Sequence, residues 1–199
     1  MAKVKLTKNE LKKQKDQLKR FRRYLPTLQL KKQQLQMEIR HIEALRDQKR
    51  QEQAEFKRSL EAWIAVFGED WDLSPYVKIA QVRTGEGNIA GVDIPIFQGV
   101  DFESFTYDLI QTPFWIDAGV HALKTMITYD IQVEILEEQV RLLSEELRIT
   151  TQRVNLFEKI KIPETRENIR RINIYLGDQQ TAAVVRGKIA KGKLVRAQT

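Results

Sequence analysis

LKKQKDQLKRFRRYLPTLQLKKQQLQMEIRHIEALRDQKRQEQAEFKRSLEAWIAVF, residues 11–67, decides the fold. Place heptad position a at Leu11, Leu18, Leu25, Lys32, Ile39, Arg46, Gln53, Leu60 and Phe67. Position d then falls at Gln14, Phe21, Leu28, Leu35, Ile42, Lys49, Phe56 and Trp63. Most of these are apolar, and the 3.5-residue repeat persists far longer than in an ordinary globular helix, which predicts a coiled-coil helix. No glycine interrupts the stretch. Thr7 or Asn9 is placed to cap its start. Pro26 removes one backbone donor and crowds the preceding turn. The phase continues from Leu25 to Leu28 unchanged, so the reading is a kinked but continuing helix; the alternative is two helices meeting at Pro26.

A second stripe runs through Leu136, Val140, Leu143, Leu147, Thr150, Val154 and Phe157 in alternating steps of four and three. It resumes at Ile162, Ile169, Ile172, Leu176 and Ala183. The step from Phe157 to Ile162, beside Pro163, breaks the phase and reads as a stutter. Gly177, Gly187 and Gly192 weaken the last turns of this helix. Between the two helical segments the character changes. Residues 76–83 and 89–97 are β-rich, with Thr84-Gly85-Glu86-Gly87-Asn88 as a turn cluster, which predicts a hairpin. Pro95 belongs on an edge strand or at a strand end. A third short strand is expected over 102–109.

The organisation is therefore one elongated, mostly α domain: an N-terminal coiled-coil helix over 1–67, a β-hairpin insert over 68–114, and a C-terminal coiled-coil helix over 115–199. Neither apolar stripe can be buried alone, so the two helices must fold back as an antiparallel pair. Aligning their ends near the insert pairs residues whose numbers add to roughly 183–187, given coiled-coil geometry. That sets Arg46 and Lys49 opposite Glu134, Glu137 and Glu138, and leaves the C-terminal helix overhanging by about four turns. It also puts Pro26 and Pro163 at nearly one level. Leu11, Leu18, Phe21, Leu25, Leu28, Leu35, Ile39, Ile42, Leu136, Val140, Leu143, Leu147, Val154, Ile169, Ile172 and Leu176 form the expected seam.

Composition narrows the function. With 199 residues, 34 Lys+Arg, 27 Asp+Glu and no Cys, disulfide staples, thiolate zinc sites and cysteine nucleophiles are excluded. His41 and His121 are too far apart in sequence to suggest a metal site. No apolar run reaches the length of a membrane span, and no secretory signal is visible at the start. The net charge of +7 is uneven. Residues 1–32 carry twelve Lys/Arg against Glu10 and Asp16, residues 181–199 carry five basic groups and no acid, and the middle is acidic. If the termini meet, one end is strongly positive and steers toward an acidic partner.

No catalytic constellation emerges. Thr84–Gly91 lacks the Lys-Ser/Thr that ends a phosphate loop. Glu137-Glu138 and Glu145-Glu146 are adjacent residues on a helix, pointing in different directions. Trp63, Phe67, Trp71, Phe114 and Trp115 gather at the helix–insert junctions. They read as a small core, as a partner surface, or as both.

Several motifs resemble one family through the whole chain. These are Leu6-Thr-Lys-Asn-Glu-Leu11, Tyr24-Leu-Pro-Thr-Leu-Gln-Leu-Lys-Lys32, Arg153-Val-Asn-Leu-Phe-Glu158 followed by Ile162-Pro163, and Arg186-x-Lys188-x-x-Lys191. They resemble the D subunit of the V-type/A-type rotary ATPases (ATP synthases). The insert Asn88-Ile-Ala-Gly-Val-Asp-Ile-Pro95 looks like a bacterial branch, and Phe157 stands where many members carry Ala.

The resemblance implies a non-catalytic central-stalk axle with no cofactor and no metal. It would transmit torque between ATP hydrolysis or synthesis in a catalytic head and proton or sodium transport across the membrane. It implies as partners the A and B subunits of the head, the F subunit of the rotor and the socket subunit of the membrane ring. It implies a cytoplasmic position, peripheral to the inner membrane, with no span of its own and no nucleic acid. Lys5, Lys8, Lys12, Arg186, Lys188 and Lys191 would then face the head, and Trp63, Trp71 and Trp115 a lower partner. The rival reading is a basic coiled-coil scaffold or nucleic-acid-binding protein, whose binding would weaken steeply with salt.

Overall fold

The computed structural model describes residues 4–61, 74–105 and 112–197. Helix α1 spans Lys8–Leu60. A single 3-10 turn, Ser74–Tyr76, precedes strands β1 (Ile79–Ile89) and β2 (Val92–Phe102). Helix α2 runs over Ile116–Asn155, a π-helical turn follows at Leu156–Lys161, and α3 continues over Ile162–Ala197. The chain divides into two compact units, one of residues 32–148 and one of 1–31 with 149–199.

Thr7 starts α1. Its hydroxyl accepts from the Glu10 amide at 3.3 Å, and its carbonyl takes the Leu11 amide. Thr-x-x-Glu at a helix start is a capping-box pattern, satisfying donors that have no partner within the helix. Pro26 lies inside α1 and does not end it. One hydrogen bond is lost there, while Thr27 Oγ1 donates to the Tyr24 carbonyl at 2.7 Å. Every described a and d position, from Leu11 to Leu60, is buried or half-buried. That includes the polar ones: Gln14, Lys32, Arg46, Lys49 and Gln53.

In the unit of residues 32–148, the helices run antiparallel. Arg50 donates to Glu137, Gln53 to Asp130, and the Phe56 and Tyr129 rings lie 6.0 Å apart. These pairs fall in the register read from the sequence. The charge partners do not. Arg46 bonds Asp47 on its own helix and Lys49 bonds Glu52, so Arg50 takes Glu137 instead. Neighbours three or four residues along a helix, as Glu52 is to Lys49, compete well against a partner across the seam.

The hairpin turns at Ala90-Gly91, two residues beyond the glycine cluster expected to turn. Gly85, Glu86, Gly87 and Asn88 lie within β1, paired with Ile96, Pro95, Ile94 and Asp93. Both turn residues have positive φ, 52° at Ala90 and 79° at Gly91. A two-residue turn of that hand matches the twist of the flanking strands. Asn88 ties it off, accepting from the Gly91 amide at 3.1 Å and donating to Asp93 at 2.6 Å. Pro95 sits in β2, at the edge of a two-stranded sheet. The expected third strand is not seen at 103–105, where the chain leaves β2 after the Glu103 amide bonds the Lys78 carbonyl. The remainder of that expected strand lies outside the described residues.

The hairpin does not stand free. Ile94 is 5% exposed and joins Leu35, Ile39, Ile42 and Leu143 in one core, with Ile89, Ala90 and Val92 packed against it. Gln139, itself buried, donates to the Pro95 carbonyl. At the other end Lys124 lies over the Phe102 ring, 5.5 Å from its centre. From Phe102 back to Pro95 is about 23 Å of strand. From Lys124 to Gln139 is about 22 Å of helix. The two lengths agree, so β2 lies along α2 and anchors at both ends.

In the unit of 1–31 with 149–199, Phe21 meets Phe157 with ring centroids 5.2 Å apart. That is roughly one and a half turns out of the expected register. Below it Gln14, Gln17, Thr165 and Asn168 line one open groove, so these helices too run antiparallel. Pro26 and Pro163 therefore lie on opposite sides of the Phe21–Phe157 contact, roughly 10–16 Å apart along the axes. They do not share a level. The expected stutter is a single extra residue taken up by the π-turn, not an inserted turn.

Candidate interaction surfaces

Seam residues come first. On α1, Leu11, Leu18, Phe21, Leu25 and Leu28 are half-buried, and Leu35, Ile39 and Ile42 are buried. On α2, Leu136, Val140 and Leu147 are half-buried, while Leu143 is fully buried and Val154 nearly so. On α3, Ile169 and Leu176 are half-buried and Ile172 is fully buried. Three polar residues also lie inside: Thr150, 1% exposed, with Thr165 and Gln139. Thr165 returns its hydroxyl to the Lys161 carbonyl at 2.6 Å, and Gln139 holds the hairpin. Gln139 has no apolar signature. Thr165 was findable, since it falls three residues after Ile162 and four before Ile169.

Beyond Leu176 the character of α3 changes. Only Ala182 is half-buried among residues 177–193; the rest are exposed. The helix nonetheless continues through Gly177, Gly187 and Gly192 to Ala197. Val184, Val185 and Ile189 are each about half exposed, at 59%, 50% and 55%. This is an overhang of about five turns with no helix beside it among the described residues. Val185 and Ile189, four residues apart, lie on one face of this helix.

The basic groups are spread along this unit. Lys5, Lys8, Lys12, Arg186, Lys188 and Lys191 are all exposed. By the groove pairing, Lys8 lies level with residues near 174, so Arg186 begins roughly 18 Å further on. The positive charge is a stripe rather than one cluster.

Acidic groups on the helix surfaces are held by local partners. Lys49 and then Gln48 donate to Glu52 and lower its carboxyl below the ordinary 4.5. Arg141 grips Glu138 with two bonds, at 2.6 and 2.7 Å, with the same effect. Arg171, then Arg170, lower Glu167. None of these lies in an enclosed site. They are solvated ion pairs, not acid–base machinery.

Of the aromatic residues expected at the junction, Trp115 is half-buried and Phe114 fully exposed. Trp63, Phe67 and Trp71 lie outside the described residues. Among the described residues, no group of three or more His, Cys, Asp or Glu is placed to hold a metal. No described helix is long and apolar enough to cross a membrane. The glycines of Gly85–Gly87 are locked in paired strand, so they cannot cradle a phosphate as a loop would.

These features define a class: a mostly helical protein with a β-hairpin docked on its helices and no catalytic constellation among the described residues. The chain belongs to the ATP synthase D-subunit family, whose profile matches residues 10–192. It is 54% identical to the V-type ATP synthase D subunit of Borreliella burgdorferi, over 98% of this chain and 97% of that one. It is 36% identical to the protein of the same name from Chlamydia felis, covering 97% and 94% of the two chains. The Chlamydia pneumoniae counterpart is 33% identical over 96% and 93%.

Proposed function

We propose that the chain is the central-stalk component of a V-type rotary ATPase, a non-catalytic axle that carries torque between nucleotide chemistry and ion transport. Family membership places it in that complex. The observation that carries the axle role is the bare end of α3, running past its partner helix with apolar and basic side chains exposed. Such an end is built to be enclosed. The A and B subunits of the catalytic head are the proposed enclosure, with Lys5, Lys8, Lys12, Arg186, Lys188 and Lys191 facing acidic or bearing surfaces there.

Half-buried Trp115 is the proposed contact for the F subunit of the rotor or the socket of the membrane ring; Trp63 and Trp71 are assigned to the same role from the sequence alone. Location follows: peripheral to the membrane on the side of the head. A paired coil resists twisting better than a single helix, so the stretch that must carry load is the paired one.

The test is affinity capture of the tagged full chain from its own cells, with a second capture of a chain ending at Gly177. Head subunits should come with the first and be lost or sharply reduced with the second, while the smaller rotor partner stays with both. Capture of nucleic acid, with no ATPase components in either arm, would sink the proposal in favour of the basic scaffold.

A further inference from the structure

The apolar stripe of α2 and α3 carries one residue too many. Its buried or half-buried positions are Leu136, Val140, Leu143, Leu147, Thr150, Val154 and Phe157, then Ile162, Thr165, Ile169, Ile172 and Leu176. Every step is three or four except Phe157 to Ile162, which is five. Take out a single residue there and the four-three alternation is unbroken from Leu136 to Leu176. In a continuous α-helix a step of five would swing Ile162 roughly 140° away from Phe157, out of the seam. Instead Ile162 is 8% exposed and Val154 5% exposed. The seam resumes on both sides of the defect.

The π-turn at Leu156–Lys161 does this. The Ile162 amide bonds the Phe157 carbonyl, five residues back, and that wider turn absorbs the surplus residue. The arrangement is not free. It leaves Leu156 40% and Ile160 54% exposed. Pro163 follows at once, lacking an amide hydrogen and unable to lie comfortably over the preceding α-turn. The Lys161 carbonyl takes the Thr165 hydroxyl as well. Two independent features, an extra residue and a proline, thus interrupt the helix at one place. That place includes the Phe21–Phe157 ring contact, which anchors the second residue of the π-turn.

We propose that residues 156–161 are a joint: a one-residue surplus that lets α3 turn and bend about the Phe21–Phe157 contact while the seam before it stays closed. Pro163 is the pin that keeps the surplus from migrating into α3. The joint is a property of the chain itself and stands whether or not the axle reading does.

The chain has no cysteine, so two spin labels can be placed cleanly on the full-length protein, through Gln152→Cys and Asn173→Cys. Both residues are exposed and flank the turn. Deleting Lys159, also exposed, removes the surplus residue. The distance distribution between the labels should be about twofold wider in the parent than in the deletion variant, and the deletion should raise the melting temperature by several degrees. Pro163→Ala keeps the surplus but releases the pin; its distribution should be wider than the parent's, with faster amide exchange spreading past residue 163. Equal widths in parent and deletion, or a deletion that lowers helix content, overturns the joint. If Pro163→Ala alone narrows the distribution to the deletion's width, the proline rather than the extra residue makes the defect, and the proposal fails on that outcome too.

Discussion

Truncating Ile94 to Ala should loosen the hairpin without unzipping the helices. A two-stranded hairpin is marginal by itself in water, so its order depends on what it docks against. Ile94 is nearly fully buried among Leu35, Ile39, Ile42 and Leu143. Full burial of such a side chain contributes about 1.5–3 kcal/mol, and Ile89 and Val92, half-buried beside it, contribute roughly half as much each. The Gln139 bond to Pro95 adds about 1 kcal/mol. Docking is thus worth on the order of 4–7 kcal/mol, of which the truncation removes about 2. At 1.4 kcal/mol per factor of ten, the undocked population rises about 30-fold.

Native-state amide exchange reads this directly. Amides of β1 and β2 should exchange about 30-fold faster, while those at the centres of α1 and α2 keep their protection within a factor of about three. Ile96→Ala, at a residue 45% exposed on the same strand, is the control and should change hairpin exchange by less than threefold. If Ile94→Ala speeds exchange equally in helices and hairpin, the hairpin is an integral part of one cooperative core and the docking argument is wrong.

Other expectations are narrower. Arg50 and Glu137 are about half exposed across the seam, so a double-mutant cycle with Arg50→Ala and Glu137→Ala should give a coupling of about 0.2–1 kcal/mol. The same cycle on Lys49 and Glu137 should be additive within about 0.3 kcal/mol, which thermal melts can resolve. Ala90 occupies a left-handed conformation that costs a non-glycine residue about 1–2 kcal/mol. Asn adopts it more readily, so Ala90→Asn should slow hairpin exchange several-fold, and slower exchange with Gly91→Val would contradict this. Glu52, Glu138 and Glu167 all have carboxyls lowered below 4.5 in the folded chain. Their stabilisation is present above the ordinary value and lost as pH falls through the lowered ones. The melting temperature should therefore be flat between about pH 8 and 5 and decline below about pH 4.5; a decline beginning near pH 6 would implicate other groups.

The heptad pattern made α1 readable almost residue by residue, polar seam positions included, because 3.5-residue periodicity depends only on local spacing. Pro26 did not mislead, since phase survives a lost hydrogen bond. Local rivals were harder to weigh. Arg46 and Lys49 had acids within reach on their own helix, and the choice of Arg50 for Glu137 rests on side-chain geometry that a register cannot supply. The hairpin turn was misplaced because Gly85 and Gly87 draw the eye, whereas the demand for two left-handed residues, tied off by Asn88, falls at Ala90-Gly91. That β2 lies along α2 was not legible at all. Alternation says which face of a strand is buried but not against what, and Gln139, the residue that latches it, looks like any surface glutamine. The basic residues were found exposed as a solvated charge run would be, but their spread along the helix depends on the overhang, which a one-residue surplus at the π-turn also affects.

The bare end of α3 has a consequence for the life of the chain in a cell. A helical stretch of about 20 residues without a packing partner is marginal in water, and three glycines weaken it further. In the proposed axle the same stretch is enclosed by the catalytic head. Copies that find no complex therefore offer proteases an easily opened tail, whereas incorporated copies conceal theirs. Turnover would then trim surplus copies to the number of complexes built, making abundance follow stoichiometry without any dedicated regulator.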